Sequence, residues 1–173
     1  MFESMINNHR IIDVNLNRSA EALRIIEEVA RFILNNHPLS EQCKFLRHKI
    51  DGTYSNSYDK LLQSRNAEED VGLNIANDSR RENLQDILKA NFKRATQALR
   101  VLEEYSKLEK PDIASIFEGA RYEIYTLEKV MNHEIHKIYR QRRLSKTHLY
   151  LVTDRSKFRS KDEFYNAVAS AVS

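Results

Sequence analysis

One stretch of this sequence is written twice. VNLNRSAEALRIIEE, from Val14 to Glu28, returns as ANFKRATQALRVLEE, from Ala90 to Glu104, at an offset of 76 residues that sets Asn15 over Asn91 and Arg18 over Arg94. Glu27 and Glu28 fall on Glu103 and Glu104 in the same register, and a fainter echo at an offset of 74 sets Arg47, closing FLR, over Arg121, closing GAR. A unit repeated at such a spacing is one supersecondary element used twice, each copy too small to bury its apolar face alone. Leu16, Ala20, Leu23, Ile26, Ala30 and Ile33 recur every three or four positions, and Leu84, Leu88, Ala95, Leu99 and Leu102 do the same, so the repeated element contains an amphipathic helix.

Each repeated helix is followed by a second one. Beyond Pro38, the residues Leu39, Cys43, Leu46 and Ile50 continue the helical spacing toward the tyrosines near Tyr58. Ser79 stands three residues before Glu82, a capping-box spacing that opens the third helix. Pro111 suits the first turn of a fourth, which carries Ile113, Phe117, Ala120, Ile124, Leu127 and Met131 and reaches about Arg140. Two helical hairpins packed about a pseudo-twofold axis make an all-α bundle. With only 3 Gly and 2 Pro in the chain, little turn vocabulary is left, which argues against a sandwich or barrel of many short strands. Ser64 to Ser79 has no clear periodicity and reads as a long loop, a length that is often functional or disordered.

After Arg140 the pattern changes. QRRLSK is a polar, basic linker; THLYLVTD (Thr147 to Asp154) is rich in β-branched and aromatic residues and reads as a strand; and KDEFYNAVASAVS reads as a helix cut short. The chain therefore divides into a helical domain, residues 1–142, and a linker with a truncated βα unit, residues 143–173. A lone strand of the parallel type cannot cover both its faces, so the natural protein is expected to continue beyond this chain.

Charge narrows the partners. The 28 basic and 25 acidic residues are interspersed and leave a formal charge of +3, too diffuse for a nucleic-acid face. No stretch approaches the roughly 18 apolar residues of a membrane span, and the single cysteine, Cys43, excludes an internal disulfide. The expected location is the cytoplasm. His133 and His136 lack companions for a zinc set. No glycine-rich phosphate loop occurs, so any nucleotide must be held by Arg, Lys and helix N-termini.

On a helical wheel Asn15 and Arg18 fall within the apolar arc, beside Ile25, Ile26, Val29 and Ile33, and Asn91 with Arg94 repeats this among Val101, Leu102 and Tyr105. Buried guanidinium groups require an anion or several acceptors. The two inward Arg and two inward Asn either line a phosphate site or pair with carboxylates and fix the packing of the bundle. Glu27 and Glu103, near the edge of the arc, are candidate magnesium ligands, whereas Glu28 and Glu104 suit intrahelical pairs with Arg24 and Arg100. In the loop, SRNAEEDVG groups Arg65, Asp70 and Gly72; Asp70 could bind magnesium or accept a proton, and a solvated acidic loop is the alternative.

Three of these motifs in order, RIIDVNLNRSAEALRIIEEVARF, SRNAEEDVG and ANFKRATQALRVLEE, resemble the helical domain that precedes thiamine-phosphate synthase in some bacteria, a family regarded as a non-ribokinase type of hydroxymethylpyrimidine phosphate kinase. The resemblance covers about Arg10 to Arg140, and HLYLVTDR (His148 to Arg155) resembles the first barrel strand of the synthase, thiamine-phosphate pyrophosphorylase. The resemblance implies transfer of the γ-phosphoryl of ATP to hydroxymethylpyrimidine phosphate, with magnesium required and no synthase active site in this chain. Asn15, Arg18, Arg65, Asp70, Gly72, Asn91 and Arg94 carry over by motif, and Glu27 and Glu103 more loosely. Within that reading Asp70, Arg18 and Arg94 are the catalytic candidates, with Arg18, Arg94 and Arg65 on phosphates. Asn15, Asn91, Arg65 and Gly72 bind substrate, and Asp70, Glu27 or Glu103 holds magnesium. Asn66 stands where the family often has Asp, which removes one possible acidic ligand. The competing reading is a non-catalytic dimerisation or regulatory domain of a synthase. Whether a homodimer forms is left open by the residues.

Overall fold

The computed structural model describes residues 2–72, 80–147 and 151–172, with side chains from residue 8 onward. All regular structure among them is helical. The first helix, α1, spans Phe2–Glu28 and runs into a π-helical turn at Val29–Ile33. The chain stops there because Asn35 takes a left-handed backbone (φ 47°), which asparagine tolerates better than most residues. Asn36 starts the next helix at once: its side chain accepts the Leu39 N–H at 3.1 Å and caps α2, His37–Asp51, with Pro38 in the first turn.

The expected continuation of α2 to Tyr58 is interrupted. A 3-10 turn at Gly52–Ser57 separates α2 from a short α3, Tyr58–Gln63. Inside the turn the backbone of Tyr54 leaves helical geometry. Its buried ring stacks on Phe117 at 6.5 Å and its hydroxyl meets Ser106 Oγ at 3.1 Å. Tertiary packing of one tyrosine thus outweighs local helix continuation.

The second hairpin consists of α4, Leu84–Ser106, and α5, Pro111–Leu144. The expected Ser79 cap lies outside the described residues; α4 is capped instead by Asn83, whose side chain accepts the Asp86 N–H at 3.0 Å. Asp86 reaches back to the Glu82 N–H at 3.2 Å, so a reciprocal cap forms four residues further along than expected. Helix α5 begins at Pro111 as predicted and runs one turn past Arg140.

The chain forms two compact units, Met1–Ile135 and His136–Ser173. In the first, α1 packs along both α2 and α4. Leu23, Ile26, Leu46, Ile50, Leu99, Leu102, Phe117, Ile124 and Leu127 share one core. Burying such a side chain fully contributes about 1.5–3 kcal/mol each.

The second unit holds the end of α5, a 3-10 turn at Arg155–Lys157 and α6, Lys161–Val172. Asp154 caps the turn by accepting the Ser156 N–H at 2.9 Å, and Phe158 meets Phe164 edge-on at 5.3 Å. The strand expected at Thr147 to Asp154 is not formed where the chain is described: residues 151–154 carry no regular structure, and residues 148–150 lie outside the described set. A strand exists by pairing its N–H and C=O groups with a neighbour, and no strand is present among the described residues to supply one. The expected division after residue 142 falls in the last turn of α5. No helix among the described residues is long and apolar enough to cross a membrane.

Candidate functional site

The duplicated register survives in three dimensions. Asn15 and Asn91 are both buried, and each Nδ2 donates to the carbonyl one turn back, Asn15 to Ile11 at 2.8 Å and Asn91 to Ile87 at 2.7 Å. Their inward placement is as predicted. The arginines are different: Arg18 and Arg94 are both exposed, which corrects the expectation of guanidinium groups buried at the centre. A helical wheel places Cβ, but a long side chain at the edge of an apolar arc carries its charge out to water. Arg94 Nη1 donates to Asn91 Oδ1 at 3.2 Å, while Arg18 makes no hydrogen bond or ion pair among the described residues. Ile25 and Ile33, placed in the same arc, are likewise substantially exposed.

What the bundle does bury is carboxylates: Asp13 and the repeat-related pair Glu27 and Glu103. Glu27 on α1 accepts from Arg47 on α2 at 3.3 Å and stands 3.5 Å from Arg24. Glu103 on α4 accepts from Arg121 on α5 at 3.0 Å and from Arg100 at 2.6 Å, with Lys107 at 3.6 Å. The faint 74-residue echo of Arg47 in Arg121 therefore has a structural meaning: each hairpin is bolted by one buried Glu–Arg pair. Hydrogen bonding to Tyr125, then to Glu103, lifts the Arg121 guanidinium above its ordinary pKa. The expected surface ladder is present too, Arg24 with Glu28 at 3.3 Å and Arg100 with Glu104 at 2.9 Å. Glu27 and Glu103, proposed above as magnesium ligands, are thus already neutralised by at least two cations each. They do not converge with other acids, and no group of three or more His, Cys, Asp or Glu fit for a metal occurs among the described residues.

The loop residues come together with α1 around a hollow of about 680 Å³. Arg65 forks Asp13, with Nε to Oδ2 at 2.6 Å and Nη2 to Oδ1 at 2.9 Å. Asp13 raises the Arg65 pKa first through those hydrogen bonds and then through its charge. Arg10 adds a second tie, donating to the Asn66 carbonyl at 2.7 Å and standing 3.6 Å from Asp70. Asp70 Oδ1 accepts the Gly72 N–H at 2.8 Å, and a Cβ at Gly72 would come within 3.2 Å of that oxygen. The glycine thus gives the Asp70 carboxylate room, a use different from close approach to a ligand. Arg18, Arg65 and Asp70 line one hollow, whereas Asn15, Asn91, Arg94, Glu27 and Glu103 do not.

Two members of this site, Arg10 and Asp13, were not singled out from sequence. Asp13 had a legible signal: three residues before Leu16 and seven before Ala20, it lies on the apolar face, where an acid needs a cationic partner. That the partner is Arg65, across the bundle, is tertiary information. Cys43 is fully enclosed, and burial pushes its thiol up to about 12, as suits a core residue and not a nucleophile. His133 and His136 are exposed.

The sequence model described as ThiD2 family matches residues 10–130. A protein from Nostoc punctiforme named thiamine-phosphate synthase is 42% identical over 151 residues, covering 86% of this chain and 41% of the relative. Thiamine-phosphate synthases from Synechocystis and Rhodopirellula baltica are 39% identical over 147 residues and 40% over 120, covering 83% and 67% of this chain and 40% and 32% of theirs. The chain spans at most about two fifths of the length of these curated relatives. No solved structure matches.

Proposed function

Because the chain belongs to the ThiD2 family, we propose that it works in thiamine biosynthesis as a hydroxymethylpyrimidine phosphate kinase. In the reaction a phosphate oxygen of the pyrimidine monophosphate bonds to the γ-phosphorus of ATP, the bond from that phosphorus to the β–γ bridging oxygen breaks, and ADP leaves. The synthase activity in the relatives' names is assigned to the remainder of their length.

The carrying observation is Arg18: an exposed guanidinium with no partner among the described residues, in the same hollow as Arg65 and Asp70. Phosphoryl transfer is mainly a matter of positioning and charge neutralisation, and an unengaged guanidinium is suited to grip a phosphate in bidentate fashion. Arg65 is committed to Asp13, so its part is to seat the loop rather than to hold phosphate. Asn15 and Asn91 act from behind as positioning residues, and Arg94 is the exposed repeat counterpart of Arg18. Magnesium takes few protein carboxylates and completes its shell with phosphate and water. Asp70, half exposed with free lone pairs, fits that demand better than Glu27 or Glu103, whose oxygens are engaged by arginine. When bound, the ion would supply charge neutralisation at the transferred group.

Incubating the chain with ATP, magnesium and the pyrimidine monophosphate should yield ADP and the diphosphate in equal amounts. Failure of both this chain and a full-length relative to form the diphosphate would overturn the reading. A second reading, homodimerisation without chemistry, is favoured only by the exposed rings of Phe32 and Phe45. It requires a dimer in sedimentation that Phe32→Glu or Phe45→Glu dissociates.

A further inference from the structure

The repeat carries a second hollow. Arg80, Arg81, Glu82, Asp86, Lys89, Ala90 and Lys93 enclose about 350 Å³ at the start of α4. Asp86, Lys89, Ala90 and Lys93 stand 76 residues after Arg10, Asp13, Val14 and Asn17, all of which line the first hollow. The two concavities therefore occupy one place in the repeated helix, and what lines them has diverged. In the first, Asp13 anchors a loop through Arg65; in the second, that position is Lys89, and no such anchor exists among the described residues.

The electrostatics diverge as well. Three arginines in the first hollow, Arg10, Arg18 and Arg65, face three carboxylates, Asp13, Glu69 and Asp70. Four cations in the second face two carboxylates, Glu82 and Asp86, and Asp86 is turned toward the Glu82 N–H. None of the side chains of Arg80, Arg81, Lys89 and Lys93 makes a hydrogen bond or ion pair among the described residues, whereas Arg10, Arg24, Arg47, Arg65, Arg100 and Arg121 are all engaged. A concavity of this size with convergent positive charge that is unpaired among the described residues suits a compact polyanion rather than a long charged lattice.

We propose that the hollow formed by Arg80, Arg81, Lys89 and Lys93 is a polyphosphate-binding site, distinct from the hollow around Arg18, so that the duplicated helices carry two sites of unequal charge. The proposal does not depend on kinase activity. Its natural occupant is a linear triphosphate, either inorganic or the tail of a nucleoside triphosphate.

Titration calorimetry of the whole chain with sodium tripolyphosphate and, separately, with ATP tests it. Both ligands should saturate, and Lys89→Glu with Lys93→Glu should weaken both by about tenfold or more, the effect of losing roughly 1.4 kcal/mol of attraction. Thermal unfolding of that variant should be unchanged, since both lysines are exposed, and Arg18→Ala should leave tripolyphosphate binding intact. ATP binding much tighter than tripolyphosphate identifies a nucleotide as the source, and equal binding identifies the free polyphosphate; both outcomes support the site. Absence of tripolyphosphate saturation, equal affinity in the folded double variant, or preference for single-stranded RNA would overturn it. Turnover by a chain that does not saturate with tripolyphosphate would refute this site and leave the kinase reading standing. Tripolyphosphate binding without turnover would do the reverse.

Discussion

Arg121 on α5 donates to the Glu103 carboxylate on α4 at 3.0 Å, and Glu103 is only 3% exposed. Arg47 and Glu27 repeat the relationship between α2 and α1 at 3.3 Å. The two bolts join helices within each hairpin, so they hold the repeat unit together independently of the contacts between units. Removing one acceptor leaves a partly buried guanidinium short of its partner. Glu103→Gln should cost about 1.5–3 kcal/mol, the range for hydrogen bonds to charged groups. Glu103→Leu combined with Arg121→Met should recover much of that loss, because an apolar pair leaves no unpaired charge. Urea unfolding checks both, and a single variant as stable as the parent would contradict the assignment.

The fork from Arg65 to Asp13 should act on the loop as well as on the core. Arg65→Ala is expected to cost about 1–3 kcal/mol of global stability, because the buried Asp13 carboxylate loses its cationic partner, and to accelerate proteolysis near Ala67 to Gly72. Arg65→Lys should not restore protection, since an ammonium cannot reproduce the two-pronged contact. Equal cleavage rates in parent and Arg65→Ala would show that the loop is held by other means.

Arg18 offers the sharpest separation of function from fold. With no partner to lose among the described residues, Arg18→Ala should unfold at the same temperature as the parent, yet kcat/KM for phosphoryl transfer should fall about a hundredfold or more, the scale seen when one stabilising donor is removed from a transition state. A variant that retains full turnover would remove Arg18 from the phosphate site.

Cys43 gives a pH dependence. Its thiol is raised from 9.0 to about 12 by burial, so the unfolded chain releases this proton near pH 9 while the folded chain keeps it. Its contribution is fully present below pH 9 and is lost as pH rises from 9 toward about 12. Comparing urea midpoints of the parent and Cys43→Ala across that window isolates the term. The parent should lose stability more steeply, and parallel curves would contradict the enclosed thiol. In the native state Cys43 should resist alkylation at pH 8.

Several features were legible from residue order because they depend on local spacing. The three-and-four periodicity in α1 and α4 follows from the pitch of a helix, and Pro111 marks the start of α5 because proline fits a first turn. Asn15 and Asn91 pointed inward as read, since a short side chain ends close to where its Cβ is aimed. Arg18 and Arg94 did not, because a long, flexible side chain lets the charge find water. The break in α2 was invisible for another reason: Tyr54 turns inward for the ring of Phe117 and the hydroxyl of Ser106, both more than fifty residues away.

What the sequence by itself determined is that this chain is helical and duplicated, because periodicity and repetition are properties of order along a chain. Which groups meet was decided only by the tertiary structure. The same carboxylate group meets opposite fates: Glu27 and Glu103 are enclosed in bolts to Arg47 and Arg121, while Asp70 stays half exposed in the hollow of Arg18, which has no partner among the described residues. Charge pairing is strongest where burial lowers the dielectric and packing fixes the distance, and neither burial nor distance across helices is written in the spacing of one strand of sequence.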